Sequence, residues 1–160
     1  QIIPLPSGWS LFSSYISPEV AAIDTVLLDL VDGITIVKDY LGRAYLPEYN
    51  FSAIDSLDNL QGYQIKMTQM DTLHISGEYV VPEENPNSLS SGWSIMGYLR
   101  LDSVLMDVLL ADLVSQDYIT IVKDYEGNAY LPEYNFSAIG YAKPGFGYQI
   151  KTTQQCILEY

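Results

Sequence analysis

Apolar and polar residues alternate at two different periods along this 160-residue chain, and the same succession of periods occurs twice. The stretches SGWSLFSSYI (7–16) and SGWSIMGYL (91–99) are strand-like, with Gly-Trp at the entry. A helical period follows. Ser17-Pro18-Glu19 offers an N-cap, a proline at the first helical position and an acid in the first turn, and Ile23, Val26, Leu27, Leu30 and Val31 fall at helical spacing. In the second half Asp102 can cap a segment whose apolar positions run from Leu105 to Val114. The runs ITIVKDY and AYLP then predict two strands joined at Leu41-Gly42-Arg43 or Glu126-Gly127-Asn128. A glycine in so short a connection marks a hairpin, because it accepts positive φ. A loop PEYNFSAI leads to another β run, GYQIKMT or GYQIKTT, and TLHISGEYV or QCILEY closes each half.

The repetition is close to literal in places. Residues 34–54 and 119–139 differ only at Leu41/Glu126 and Arg43/Asn128 among 21 positions. SGWS at 7–10 returns at 91–94, and GYQIK at 62–66 returns at 147–151. The expected fold class is therefore α+β, mainly β. It comprises two tandem homologous modules, each a small curled sheet or barrel of about five strands with one short helix. Residues 1–80 form the first module and 91–160 the second. The intervening 81–90, with two prolines, reads as an extended linker. One such module has a marginal core, so the two are expected to bury a shared face by pseudo-twofold packing rather than hang as independent beads.

Charge and composition narrow the function classes. Twenty acids against seven bases give a net charge of −13, with ten acids in each half and no acidic tail. That field repels nucleic-acid phosphates and anionic headgroups, so neither nucleic acid nor membrane insertion is expected. No apolar run reaches the roughly 20 residues needed to span a bilayer. The single Cys156 excludes an intrachain disulfide and reads as a buried thiol. The chain starts at Gln1 rather than Met, as expected of a processed or trimmed piece.

Trp9, Lys38, Pro47, Gly62 and Tyr63, and in the second copy Trp93, Lys123, Pro132, Gly147 and Tyr148, stand in the order GW, VKDYxGxAYLPEYNF, GYQIK. In this the chain resembles a tandem module found near the C-termini of secreted multidomain surface proteins of Bacteroidetes and in marine viral proteins. The resemblance covers nearly the whole chain and implies secretion or display at a cell or particle surface. It brings no catalytic or binding residues with it.

Catalytic constellations are scarce, and the chain is not expected to be an enzyme. His74, the only histidine, sits in an alternating run and reads as a strand residue. One Cys and one His cannot supply a zinc site, and no nucleophile elbow or phosphate-binding glycine loop occurs. Asp124-Tyr-Glu-Gly-Asn128 resembles an acidic calcium loop, but its copy Asp39-Tyr-Leu-Gly-Arg43 loses two oxygen ligands; a turn fits both. No metal or other cofactor is expected. Asp39 with Glu48, and Asp124 with Glu133, flank the hairpin, and a glycosidase would need such a pair in one cleft; strand-end charge is the simpler reading.

The aromatic residues carry the binding candidates. Tyr40, Tyr45, Glu48, Tyr49 and Asn50 recur as Tyr125, Tyr130, Glu133, Tyr134 and Asn135. Rings stack on sugars or form protein-binding hot spots, while acids and amides hydrogen-bond hydroxyls. The competing use is core: small modules bury Tyr and Trp and tether their polar ends at the rim, and Trp9 and Trp93 are placed in the core on this ground. The near-identity of 34–54 and 119–139 extends to polar positions. It reflects a constrained hydrogen-bonded loop, one surface presented twice to a partner, or a recent local gene conversion. The expectation drawn from these residues is a non-catalytic extracellular adhesion or assembly module that binds protein or glycan, with self-association as a further partner mode. A structural spacer or filament or virion subunit is the alternative, and a glycoside hydrolase the third.

Overall fold

The computed structural model describes residues 1–160. The fold is α+β and mainly β, built around two five-stranded antiparallel sheets. In the first, strands run in the order Gly8–Phe12, Tyr63–Met67, Ile34–Lys38, Ala44–Leu46, Phe51–Ser52. The second repeats that order with Gly92–Met96, Tyr148–Thr152, Ile119–Lys123, Ala129–Leu131, Phe136–Ser137. Each sheet is accompanied by a short pair that brings the module's ends together: Ile2–Leu5 with Asp71–His74, and Asn87–Leu89 with Cys156–Leu158.

The duplicated hairpin owes its sequence to one carboxylate per copy. Asp39 Oδ1 accepts hydrogen bonds from the backbone N–H groups of Leu41 (3.0 Å) and Arg43 (2.8 Å), and Arg43 Nε donates to Oδ2. Asp124 Oδ1 does the same for Glu126 and Asn128, and Asn128 Nδ2 donates to Oδ2 at 2.7 Å. Gly42 and Gly127 supply the positive φ that closes the turn. The two positions that differ between the copies are thus an exposed tip and a donor that either Arg or Asn provides. Beyond the second strand, Pro47–Tyr49 and Pro132–Tyr134 form single 3-10 turns ended by Asn50 (φ 47°) and Asn135 (φ 49°). Asparagine tolerates this left-handed conformation better than most residues. The PEYN segment is a corner that returns the chain along the sheet edge.

On the inner face of each sheet lies an apolar core. Val37, Ile65, Tyr63 and Phe12 pack with Ile23, Leu27 and Leu30 in the first module; Val122, Ile150, Tyr148 and Met96 pack with Met106, Leu110 and Leu113 in the second. The helical segments are shorter than the sequence predicts and start later. Ile23–Val26 and Met106–Leu109 begin after Ala22 and Leu105, neither of which caps through a side chain. Ser17 is no N-cap, because its backbone pairs with Glu78 in the strand Ile16–Ser17 and the chain stays extended there. Asp102 does not cap either; its carbonyl accepts a hydrogen bond from Tyr98 Oη. The predicted linker at 81–90 is also structured. Pro82–Glu84 is a 3-10 turn and Asn87–Leu89 is a strand of the second module, while Asn87 Nδ2 donates to Leu60 O of the first at 2.6 Å.

The two modules join through a pseudo-twofold contact. Phe12 bridges Phe146, and the equivalent Met96 bridges Gln61. Gly62 N–H donates to Ile95 O (2.8 Å) and Gly147 N–H to Leu11 O (3.3 Å). Gly97 N–H donates to Leu60 O and Ser13 N–H to Gly145 O, both at 3.0 Å. The inner edge strand of each sheet thereby hydrogen-bonds the other module through an isolated bridge, while the two sheets remain separate. Ser13, in the place of Gly97, adds a hydrogen bond from its hydroxyl to Phe146 O and accepts one from Tyr98 N–H. Its counterpart has no room for a side chain, since a Cβ on Gly97 would stand 2.3 Å from Asn59 O.

Candidate binding clefts

The outer face of each sheet follows from the strand register. Trp9 lies opposite Lys66, which lies opposite Ile36; the next outward row is Leu11, Gln64 and Lys38. The second sheet repeats this with Trp93, Lys151 and Ile121, then Ile95, Gln149 and Lys123. Side chains alternate along a strand, so Tyr63 and Ile65 turn inward while Gln64 and Lys66 turn outward. Trp9 and Trp93 are consequently not core, contrary to expectation: they are 47% and 46% exposed. The inward positions beside them hold Ser10 and Ser94, whose hydroxyls are buried without a hydrogen-bond partner.

Each tryptophan holds two lysines. Lys38 Nζ and Lys66 Nζ lie 5.6 and 5.8 Å from the Trp9 ring, and Lys123 Nζ and Lys151 Nζ lie 5.5 and 6.0 Å from Trp93. Such cation–π contacts contribute about 0.5–1 kcal/mol at exposed sites and order the ammonium groups without neutralising them. The chain has seven basic residues, and four of them are here. Two of the others are in ion pairs, Arg43 with Asp39 and Arg100 with Glu83, whereas none of the four lysines has a carboxylate partner.

Beside each tryptophan is a cleft to which both modules contribute. Trp9, Leu11, Lys38 and Gln64 face Asp124, Tyr125 and Gln149 across a space of roughly 370 Å³. Trp93, Ile95, Lys123 and Gln149 face Asp39, Tyr40 and Gln64 across roughly 320 Å³. The two are images of one another under the pseudo-twofold axis, and Gln64 and Gln149 line both. Tyr125 is fixed by stacking on Phe146, with centroids 5.9 Å apart, and burial raises its pKa, as does the neighbouring Glu126.

The sequence candidates divide into three groups. Tyr40 and Tyr125 are half-buried and line the clefts, each opposite the tryptophan of the other module. Tyr45 and Tyr130 are corrected to core residues: their strands present them inward opposite Val37 and Val122, and both are buried. Glu48, Tyr49, Asn50 and their copies Glu133, Tyr134 and Asn135 are exposed on the 3-10 corners, with Tyr49 at 71% and Tyr134 at 70%. Glu48 and Glu133 do not line the tryptophan clefts, where Asp39 and Asp124 are engaged by their own turns. No cluster of three or more His, Cys, Asp or Glu residues is arranged to hold a metal, and no helix is long and apolar enough to cross a membrane.

The cleft residues that sequence reasoning missed are Trp9, Trp93, Lys38, Lys123, Gln64 and Gln149, with Lys66 and Lys151 packed on the same tryptophans outside the cleft lining. Their signal was the repeated GYQIK, whose alternation sends Gln and Lys to the same face. Comparison of the chain with protein-family models, with curated proteins and with solved structures returned no match.

Proposed function

We propose that this chain is a non-catalytic extracellular module for adhesion or assembly that binds its partner, protein or glycan, in the two tryptophan clefts. The observation that carries the reading is the construction of each cleft from both modules, Trp and Lys from one and the Asp-Tyr turn from the other. An aromatic face, ordered ammonium groups and side-chain amides make a recognition surface of the kind that anchors ligands by a few rigid contacts. A non-catalytic reading is supported by the carboxylates nearest the clefts, Asp39 and Asp124, which accept the hydrogen bonds of their own turns. Secretion accords with the family resemblance and with the strong net negative charge. The test is a glycan and surface-protein array probed with the chain and with its Trp9→Ala/Trp93→Ala variant. Binding that the variant loses while its circular dichroism is unchanged supports the reading; a bound ligand indifferent to the double substitution overturns it.

A second reading, an assembly element joining copies of the chain, is favoured by the outer sheet edges. Phe51 and Phe136 are half-exposed on the edge strands farthest from the module contact, next to the exposed Tyr49 and Tyr134. Exposed edges invite pairing. Sedimentation of the chain against a Phe51→Lys/Phe136→Lys variant distinguishes this mode, which requires concentration-dependent association that the variant abolishes.

A further inference from the structure

We infer that the two clefts form one site for an anionic polysaccharide, a carboxylated or sulfated sugar chain running from Trp9 to Trp93 across Gln64 and Gln149. The inference rests on the reading of these clefts as the binding surface and adds the chemical class of the ligand.

Charge placement carries the argument furthest. In a chain with 20 acids and seven bases, a surface lysine has carboxylates in abundance with which to pair. Lys38, Lys66, Lys123 and Lys151 instead lie against tryptophan rings and form no ion pair. The ring biases where each ammonium stands and leaves its N–H donors without a protein partner, which favours an external anion there. The same geometry disfavours a neutral sugar as the main ligand. A neutral ring stacking on Trp9 or Trp93 competes with the lysines for the aromatic face, whereas an acidic sugar uses them.

Of the remaining groups, the Asp39 and Asp124 carboxylates also line the clefts but accept the hydrogen bonds of their own turns, and the others fit a hydroxylated ligand. Gln64 and Gln149 each offer a carbonyl and an NH₂ on the outer face, and Tyr40 and Tyr125 stand at the far walls. Because both glutamines line both clefts, the pairs of ammonium groups belong to one surface related by the pseudo-twofold axis. A polymer with recurring acidic groups engages both halves at once, and the second contact is strengthened by effective concentration. The net charge of −13 opposes any polyanion at long range, so binding requires the local lysines to outweigh that field at contact, and tryptophan stacked on sugar rings is what separates an acidic polysaccharide from a nucleic acid.

The experiment measures binding of the full chain to polygalacturonate, dextran sulfate, neutral dextran and single-stranded poly(dT). It compares the wild type with Lys38→Gln/Lys123→Gln, Lys38→Arg/Lys123→Arg and Trp9→Ala/Trp93→Ala, with folding checked by circular dichroism. The expected result is binding to at least one acidic polysaccharide and none to neutral dextran. Affinity falls about tenfold or more in the Gln variant, is retained in the Arg variant, and weakens as salt rises from roughly 50 to roughly 500 mM. No binding to either acidic polymer overturns the inference, and poly(dT) binding as tight as that of the polysaccharides overturns the ligand class. Dextran binding that the Gln variant keeps and the Trp variant loses overturns the anionic character and leaves the clefts as the site. Acidic-polymer binding indifferent to the Trp variant and to the Gln variant overturns the site as well.

Discussion

Gly62 and Gly147 lie against each other at the pseudo-twofold axis: a Cβ built on Gly62 would stand 3.1 Å from Gly147 Cα and 2.6 Å from Ile95 Cγ2. A Cβ on Gly147 would stand 2.9 Å from Phe12 O. Neither residue has positive φ, so glycine is required here by close approach of two backbones and not by conformation. This is the point at which the modules become one structure and at which the floor of both clefts is set, since Gln64 and Gln149 follow two residues later.

Alanine at either glycine therefore pushes the modules apart. Gly62→Ala or Gly147→Ala is expected to cost about 1–3 kcal/mol, the usual range for overpacking a tight contact. Because the two positions touch, the double substitution is expected to depart from the sum of the singles by about 0.5 kcal/mol or more. Denaturant unfolding followed by the fluorescence of Trp9 and Trp93 checks this; unchanged midpoints for both single variants would contradict the close contact.

The hairpin hub gives a prediction that separates structure from binding in the duplicated segment. Asp39 and Asp124 each satisfy two backbone N–H groups and one side-chain donor, so Asp39→Ala or Asp124→Ala leaves those donors unpaired. The expected loss is about 1–3 kcal/mol each. Arg43→Asn is expected to change the midpoint by less, since Asn128 already fills that role in the second copy. A thermal melt in which Arg43→Asn is as damaging as Asp39→Ala would show that the guanidinium contributes something Asn cannot supply.

How much of this was readable beforehand varies from residue to residue. The hairpin followed from turn chemistry, which acts over a few residues, and the tandem repeat from self-similarity, 7–10 returning at 91–94 and 34–54 at 119–139. The face of Trp9 did not. In Trp9-Ser10-Leu11-Phe12 the apolar residues occupy both phases, because near the axis Leu11 is covered by the second module and Phe12 by the core. Burial supplied by another module leaves no period in the local sequence. Distant pairing is equally silent in the local sequence for Ser17 and Asn87, whose strand partners lie 61 and 71 positions away within the same module. The Tyr45 and Tyr49 pair was ambiguous for a different reason: two tyrosines four apart, one in a strand and one after a proline turn, carry the same composition and opposite exposure.

Ser10 and Ser94 offer a prediction of opposite sign. Their hydroxyls face Ile65 and Ile150 on the inner faces with no hydrogen-bond partner. Removing an unpartnered buried hydroxyl removes a desolvation cost, so Ser10→Ala and Ser94→Ala are expected to be neutral or to stabilise by up to about 1 kcal/mol. A loss of more than about 1 kcal/mol in either variant would show that the hydroxyl has a partner in solution.

Alkaline pH supplies the last test. Tyr63 is pushed up to about 12 by burial, and burial likewise raises Tyr148, Tyr45 and Tyr130 above the usual 10. Tyr63 Oη accepts a hydrogen bond from Asp58 N–H and donates to Ser56 O, while Tyr148 Oη accepts one from Lys143 N–H, so both are held inside the sheet–loop junction. A tyrosine is neutral when protonated. A folded pKa above the unfolded one therefore means that the unfolded chain loses its proton first as pH rises. The stability that these residues contribute is fully present below pH 10, declines from pH 10 upward, and for Tyr63 is gone above about pH 12. Unfolding midpoints are expected to be insensitive to these groups up to pH 9 and to fall steadily beyond pH 10, with the tyrosinate absorbance of the buried set rising together with loss of structure. Full ionisation of all 14 tyrosines near pH 10 with the circular dichroism intact would contradict the burial of Tyr63 and Tyr148.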